Sequence, residues 1–169
     1  MSPRKPLLRW FGLAALVVVL DQISKHVIQQ RLGYGESINV TPFFDLVLVY
    51  NPGAAFSFLS DAPGWQRDFF IAVGLIACAF ITWLLFRHRD KPMFCLALAL
   101  VLGGAVGNLI DRFVLTAVVD FLHFHAGRYY WPAFNLADSA ITCGAGLLVW
   151  DSFFDRRRRP GHAPASGDK

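Results

Sequence analysis

Long apolar stretches alternate with short polar interruptions along this chain. Residues 7–28, 69–86, 93–110 and 136–154 carry few charged side chains. Each is close to the length at which a helix rising ~1.5 Å per residue crosses a hydrocarbon layer ~30 Å thick. The pattern predicts an all-α integral membrane protein with four transmembrane helices. Residues 33–65 change character: Ile38-Asn39-Val40-Thr41 and Phe43-Phe44-Asp45-Leu46-Val47-Leu48-Val49-Tyr50 are rich in β-branched and aromatic residues, with Gly and Pro around them. They predict a small β element outside the helices. Residues 115–120 and 121–125 also look extended, Gly127 turns, and Arg128-Tyr129-Tyr130-Trp131 suits an interfacial aromatic belt. Residues 1–155 therefore form one membrane domain, and 156–169 a basic tail expected to be disordered.

Composition supports the membrane reading. The chain of 169 residues is 55% hydrophobic and only 17% charged, with mean hydropathy +0.44. A soluble domain of this size could not hide so much apolar side chain. The net charge of +4 and pI near 9.2 do not indicate nucleic acid, because the cations sit at the ends of the apolar blocks. Arg4, Lys5 and Arg9 precede the first block; Arg87, Arg89 and Lys91 separate the second from the third; Arg156, Arg157, Arg158 and Arg159 follow the fourth. By the positive-inside rule all three clusters are cytoplasmic, so both termini lie inside and the β element is extracytoplasmic. The arginines of the tail suit anionic lipid head groups. The basic start and apolar residues 11–20 resemble a secretory leader, but no small-x-small cleavage site follows. Asp21-Gln22-Ile23-Ser24-Lys25 continues at helical spacing, which predicts a retained first span. Cys78, Cys95 and Cys143 fall in apolar blocks, where packing is the expected role.

Candidate chemistry gathers at one membrane face. Asp138, in Phe134-Asn135-Leu136-Ala137-Asp138-Ser139, stands at the mouth of the fourth block, where an ionisable residue is costly and marks function. Asp120 precedes it in Val118-Val119-Asp120-Phe121. The topology puts Asp21, Asn51, Asp111, Asp120 and Asp138 near the outer boundary. Each has a local alternative. Asn135 suits an N-cap with Asp138 at N3. Asp21 and Lys25 can neutralise one another at i,i+4. Asn108, Asp111 and Arg112, following the small residues Gly103-Gly104-Ala105-Val106-Gly107, can cap the third helix and form an Asp–Arg pair. Asn51-Pro52-Gly53-Ala54-Ala55-Phe56-Ser57-Phe58 reads equally as an interfacial turn or a rim contacting substrate.

A cap needs no second acid, however, whereas two carboxyls at close range hold one proton between them. One can then donate while the other takes a proton from water. That arrangement suits peptide hydrolysis without a metal or covalent intermediate. A metal centre would use Asp120, His123 and His125, yet in a strand Asp120 faces away from both histidines, and no His-Glu-x-x-His occurs. No metal and no cofactor are expected. A proton-coupled carrier would need polar groups at several depths, and a non-catalytic scaffold would tolerate Asp→Asn changes.

Five ordered blocks now carry a resemblance. Asp21-Gln22-x-Ser24-Lys25, Asn51-x-Gly53-Ala54-Ala55-Phe56, Gly103-Gly104-Ala105-x-Gly107-Asn108-Leu109-Ile110-Asp111-Arg112, Val118-Val119-Asp120-Phe121 and Phe134-Asn135-Leu136-Ala137-Asp138-Ser139 together resemble the bacterial lipoprotein signal peptidases, or signal peptidase II. The resemblance implies a multi-pass protein of the bacterial inner membrane with four helices and an extracytoplasmic β platform. It implies an aspartic endopeptidase in which Asp120 and Asp138 are catalytic. Asp21, Lys25, Asn51, Asn108, Arg112 and Asn135 would support the site or contact substrate. The implied substrate is a diacylglyceryl-modified prolipoprotein, cut just before its lipidated cysteine. Membrane lipid is the other expected partner, nucleic acid is not one, and a monomer is expected. Pro52 departs from the family, which more often has Thr there, and the expected consequence is local to the backbone.

Overall fold

The computed structural model describes residues 5–53 and 64–158. Arg4, residues 54–58 of the Asn51–Phe58 stretch and the tail from Arg159 lie outside the described residues. Four helices, α1 (Lys5–Arg31), α2 (Gln66–Arg87), α3 (Pro92–Leu115) and α4 (Leu136–Arg158), are joined by strands β1 (Ser37–Thr41), β2 (Phe44–Asn51), β3 (Val118–Ala126) and β4 (Tyr129–Tyr130). Each helix runs past the apolar block that predicts it, because the hydrogen-bonded backbone continues into the interface after the apolar run has stopped. α4 accordingly extends through Arg158, three residues into the stretch expected to be a disordered tail.

Within α1, α2 and α3, the stretches Leu7–Arg31, Gln66–Arg87 and Pro92–Leu115 are long and apolar enough to cross a membrane. α4 has comparable length at 23 residues, but Asp138, Asp151 and several small residues lower its apolar character. Large apolar side chains such as Leu16, Ile23, Ile76, Phe80 and Trp83 are exposed along the helices. A water-soluble protein would bury them; a lipid surface accommodates them.

α3 is central and has the most internal surface. A Cβ on Gly103 would lie 2.7 Å from the Ala14 carbonyl oxygen of α1, and one on Gly104 would strike the Ala137 carbonyl of α4. Glycine at these two positions lets three backbones approach one another where lipid offers little hydrophobic drive to hold helices together. α1 answers with one buried stripe, Trp10, Ala14, Val17, Asp21, Lys25 and Ile28, spaced three or four residues apart and continued by Leu32 just past the helix end. Trp10 and Ala14 pack with Leu85, Cys95, Leu98 and Leu102. Ile28 and Leu32 pack at the other end with Leu48, Val119 and Phe121 of the sheet. The two charges fall between these apolar clusters.

The β element joins stretches that the sequence reads separately. β1 and β2 lie within residues 33–65, β3 covers most of the later extended stretch, β4 falls in the aromatic segment 128–131, and all four form one antiparallel sheet in the order β1-β2-β3-β4. Tyr50 pairs with Val119 and Asn51 with Val118. Phe134 closes the sheet against Leu122 just before α4 begins. This pairing brings the end of β2, the start of β3 and the start of α4 to one place.

Candidate active site

The first turn of α4 begins as the sequence predicts. The Asn135 side-chain oxygen accepts the Asp138 N–H at 2.9 Å, and Asp138 Oδ2 accepts the Asn135 N–H at 3.3 Å. This is a reciprocal capping arrangement, in which two amides without helical partners are satisfied. The cap leaves both residues able to act elsewhere. Asp138 Oδ1 accepts from Asn108 Nδ2 at 2.8 Å, and fully buried Asn135 donates from Nδ2 to Asp120 Oδ1 at 2.7 Å. Capping and site-building are thus simultaneous.

Asp120 enters from β3. Its Oδ2 accepts from Asn51 Nδ2 at 3.1 Å, the Asn51 side chain being set by a turn in which its Oδ1 accepts the Gly53 N–H at 3.0 Å. Pro52 stands between them, at a turn position that suits its fixed φ. Burial, followed by the charge of Asp138, pushes the Asp120 carboxyl up to about 7. Hydrogen bonds from Asn51 and Asn135 and the Lys25 charge pull in the other direction. His123 Nδ1 and His125 Nε2 turn instead to Asp45 Oδ2, at 3.8 and 3.2 Å, on the face of β3 away from Asp120.

Asp120 and Asp138 line one cavity of about 480 Å³. Asn51, Asn108 and Arg112 complete its polar side, while Pro132, Ile141 and Cys143 belong to its apolar side. Such a mixture can hold a greasy ligand and orient one polar linkage within it. Arg112 reaches the rim: its Nη2 donates to the Gly53 carbonyl at 2.9 Å, and its guanidinium lies 5.1 Å from the centre of the Phe70 ring of α2.

Behind the cavity wall is a buried ionic group. Lys25 Nζ lies 2.7 Å from Asp21 Oδ2, 2.8 Å from Asp111 Oδ2 and 3.0 Å from Asn108 Oδ1. The expected Asp21–Lys25 pair is present but does not close on itself. The expected Asp111–Arg112 pair does not form, because Asp111 points inward to Lys25 while Arg112 donates to backbone carbonyls. Sequence reasoning placed Asp111 at the outer boundary but gave it a local partner, and it assigned Gln22 no role of its own. Gln22 Nε2 donates to Asp111 Oδ1 at 2.8 Å and to the Gly107 carbonyl at 3.2 Å. Gln22 falls within the first apolar block, and Asp111 stands just past the end of the third.

The chain as a whole is similar to known proteins. A family model described as signal peptidase (SPase) II matches residues 13–154. The lipoprotein signal peptidase of Cupriavidus taiwanensis is 60% identical over 146 residues, covering 86% of this chain and 82% of that protein. The lipoprotein signal peptidase of an Azoarcus species is 52% identical over 158 residues, covering 94% and 90%. Among solved structures, a bacterial membrane enzyme determined by the in meso method matches with a TM-score of 0.82 at 28% identity, covering 92% of this chain and 94% of its own.

Proposed function

Because the chain belongs to the signal peptidase II family, we propose that it is an aspartic endopeptidase acting through Asp120 and Asp138. It removes the signal peptide of diacylglyceryl-modified prolipoproteins by cutting before the lipidated cysteine. The observation that carries the dyad is Asn135. One buried residue donates its side-chain amide to Asp120 and caps with Asp138, so both carboxyls are tied to a common point facing one cavity.

The pair enters the reaction with one proton between its members. One carboxyl carries that proton and donates it to the scissile carbonyl oxygen, and because the two titrate as a unit the proton belongs to the pair. The other carboxylate takes a proton from water as the water oxygen bonds to the carbonyl carbon. Collapse of the tetrahedral species breaks the C–N bond; the proton taken from water passes to the leaving amine, and the proton on the former carbonyl oxygen returns to the carboxylate that gave it, restoring the pair. The new carboxyl end stays on the signal peptide, and the amine on the lipidated cysteine. Asn51 and Asn108 hold the two carboxyls by hydrogen bonds to the oxygens named above, and Arg112 fixes the Gly53 side of the rim. The acyl chains lie against the apolar side of the cavity. Asp21 and Lys25 support the site from behind.

All four helices cross the bacterial inner membrane, with both termini cytoplasmic and the dyad near the outer leaflet boundary. The chain works as a monomer. The basic residues between α2 and α3 favour this orientation, and the crowding of polar groups at one end of the bundle favours a surface-level site over an ion path.

Cleavage of a diacylglyceryl-modified prolipoprotein by purified protein tests the proposal. Asp120→Asn and Asp138→Asn are each expected to lose about 10²–10⁴-fold in kcat while remaining folded. Substantial cleavage by either folded variant would overturn the dyad.

A further inference from the structure

Three buried ionisable groups have no part in the bond-breaking step. Asp21, Lys25 and Asp111 are all 3% exposed or less. Replacing a buried ion pair with apolar residues is often neutral or stabilising, so holding the bundle together is a poor reason to bury three charges. Neutralising Lys25 would need one carboxylate, and here there are two.

The second contact of each acid supplies the reason. Asp21 Oδ1 accepts the N–H of Ala137 at 2.9 Å, and Ala137 immediately precedes Asp138. Asp111 Oδ2 accepts the N–H of Val119 at 3.0 Å, and Val119 immediately precedes Asp120. The Ala137 amide lies in the first turn of α4, where it has no helical partner. An ammonium has three protons, and the third Lys25 contact goes to Asn108 Oδ1. That contact turns the Asn108 amino group toward Asp138. Each contact of Lys25 therefore leads in one further step to a dyad aspartate or to the residue beside it. The contacts join α1, α3, β3 and α4.

We propose that Lys25, with Asp21 and Asp111, is a two-armed clamp that sets the separation and orientation of the Asp120 and Asp138 carboxyls. The proposal rests on the dyad reading above and makes these three positioning residues. Charge-assisted hydrogen bonds are short and strong, which suits them to fixing a backbone position. Gln22 stiffens one arm through its bond to Asp111 Oδ1. The clamp allows α4 and β3, which come from different parts of the chain, to present two carboxyls in fixed register.

The test compares the purified full-length wild type with Asp21→Asn, Asp111→Asn and the triple variant Asp21→Asn/Lys25→Met/Asp111→Asn on the same prolipoprotein. Melting in detergent reports the fold, and kcat and KM are measured separately. A misplacement of ~1 Å can cost about a hundredfold in rate. Each single variant is expected to lose about that much in kcat with KM nearly unchanged. Their double variant should lose much less than the product, since both arms serve one geometry. The triple variant is electrically neutral and lacks the shared anchor. It is expected to fold and to stay low in kcat. Wild-type kcat in the triple variant would overturn the clamp, leaving charge balance as the role of the trio. A loss confined to KM, or to the folded fraction, would overturn it as well. Failure of the dyad reading looks different: the wild type would not cleave, or Asp120→Asn and Asp138→Asn would.

Discussion

Two regions of the bundle are held together by different means. Near the ends of α1 and α2 that carry Trp10 and Leu85, apolar side chains pack against Cys95, Leu98 and Leu102, with the exposed Arg9 guanidinium resting on the Trp10 ring. At the level of Asp21 and Lys25 the same helix stripe turns ionic, and the contacts become directional bonds to α3 and α4, with Asp111 of α3 carrying the network on to the sheet. Apolar packing tolerates substitution of similar volume, because dispersion depends little on angle. A hydrogen bond weakens steeply when misaligned. The first region therefore provides cohesion, and the second provides position. A site that must hold two carboxyls in register needs the second kind.

Asn135→Ala should separate the two regions most sharply. It removes the donor to Asp120 and the cap on the Asp138 N–H at once. About a hundredfold loss in kcat is expected, measured by prolipoprotein cleavage on protein shown to be folded. A loss below about threefold would show that Asn135 does not carry the geometry.

Leu85→Ala is the counterpart in the apolar region. Leu85 is completely buried, and its truncation leaves a hole among α1, α2 and α3. A cost of about 2 kcal/mol is expected, at the lower end for buried leucine because lipid supplies less hydrophobic drive than water does. Denaturant titration in detergent would measure it. Activity per folded molecule should match wild type, and a large fall in kcat would erase the distinction between cohesion and position.

The smallest expected effect is a shift in pH dependence. Burial and the Asp138 charge hold Asp120 up to about 7, above its ordinary 3.8, so it titrates around neutrality. Activity should decline as pH rises through about 7 and its proton is lost. The sign for stability is the same. The folded state binds a proton that the unfolded chain has released by pH 3.8, so this contribution is full below that value and fades as pH rises through about 7. The Asn51 hydrogen bond opposes the upward shift, and Asn51→Ala should move the alkaline limb of the rate profile to higher pH. A limb that stays in place or moves down would show that Asn51 does not favour the ionised form.

Much of the site was legible in the sequence because several of its signals are local. Asn135 and Asp138 stand at cap and N3 spacing, and Asp21 and Lys25 at i,i+4, so these pairs could be read without knowing the fold. Asp120 was separable from His123 and His125 by strand alternation alone. What could not be read was the choice between near and distant partners. Asp111 has Arg112 beside it in sequence but bonds Lys25, because the helical register turns Asp111 toward α1 while Arg112 projects to the rim. Gln22 offered no reason to select it within a block that already held two charges.

By itself, then, the sequence determined the helices, the β-rich character of the connections and the gathering of carboxylates at one end. Apolar length, strand alternation and charge placement are properties of neighbouring residues. Tertiary structure decided that four strands from two separate connections make one sheet, and that Asn135 serves both aspartates. It also decided that a single ammonium holds two further acids. Those outcomes depend on how closely α1, α3 and α4 approach, and glycines such as Gly103 and Gly104 show their effect only once the opposing backbones are in contact. A side chain's partner across many tens of residues is fixed by that packing and leaves no periodic trace in the chain.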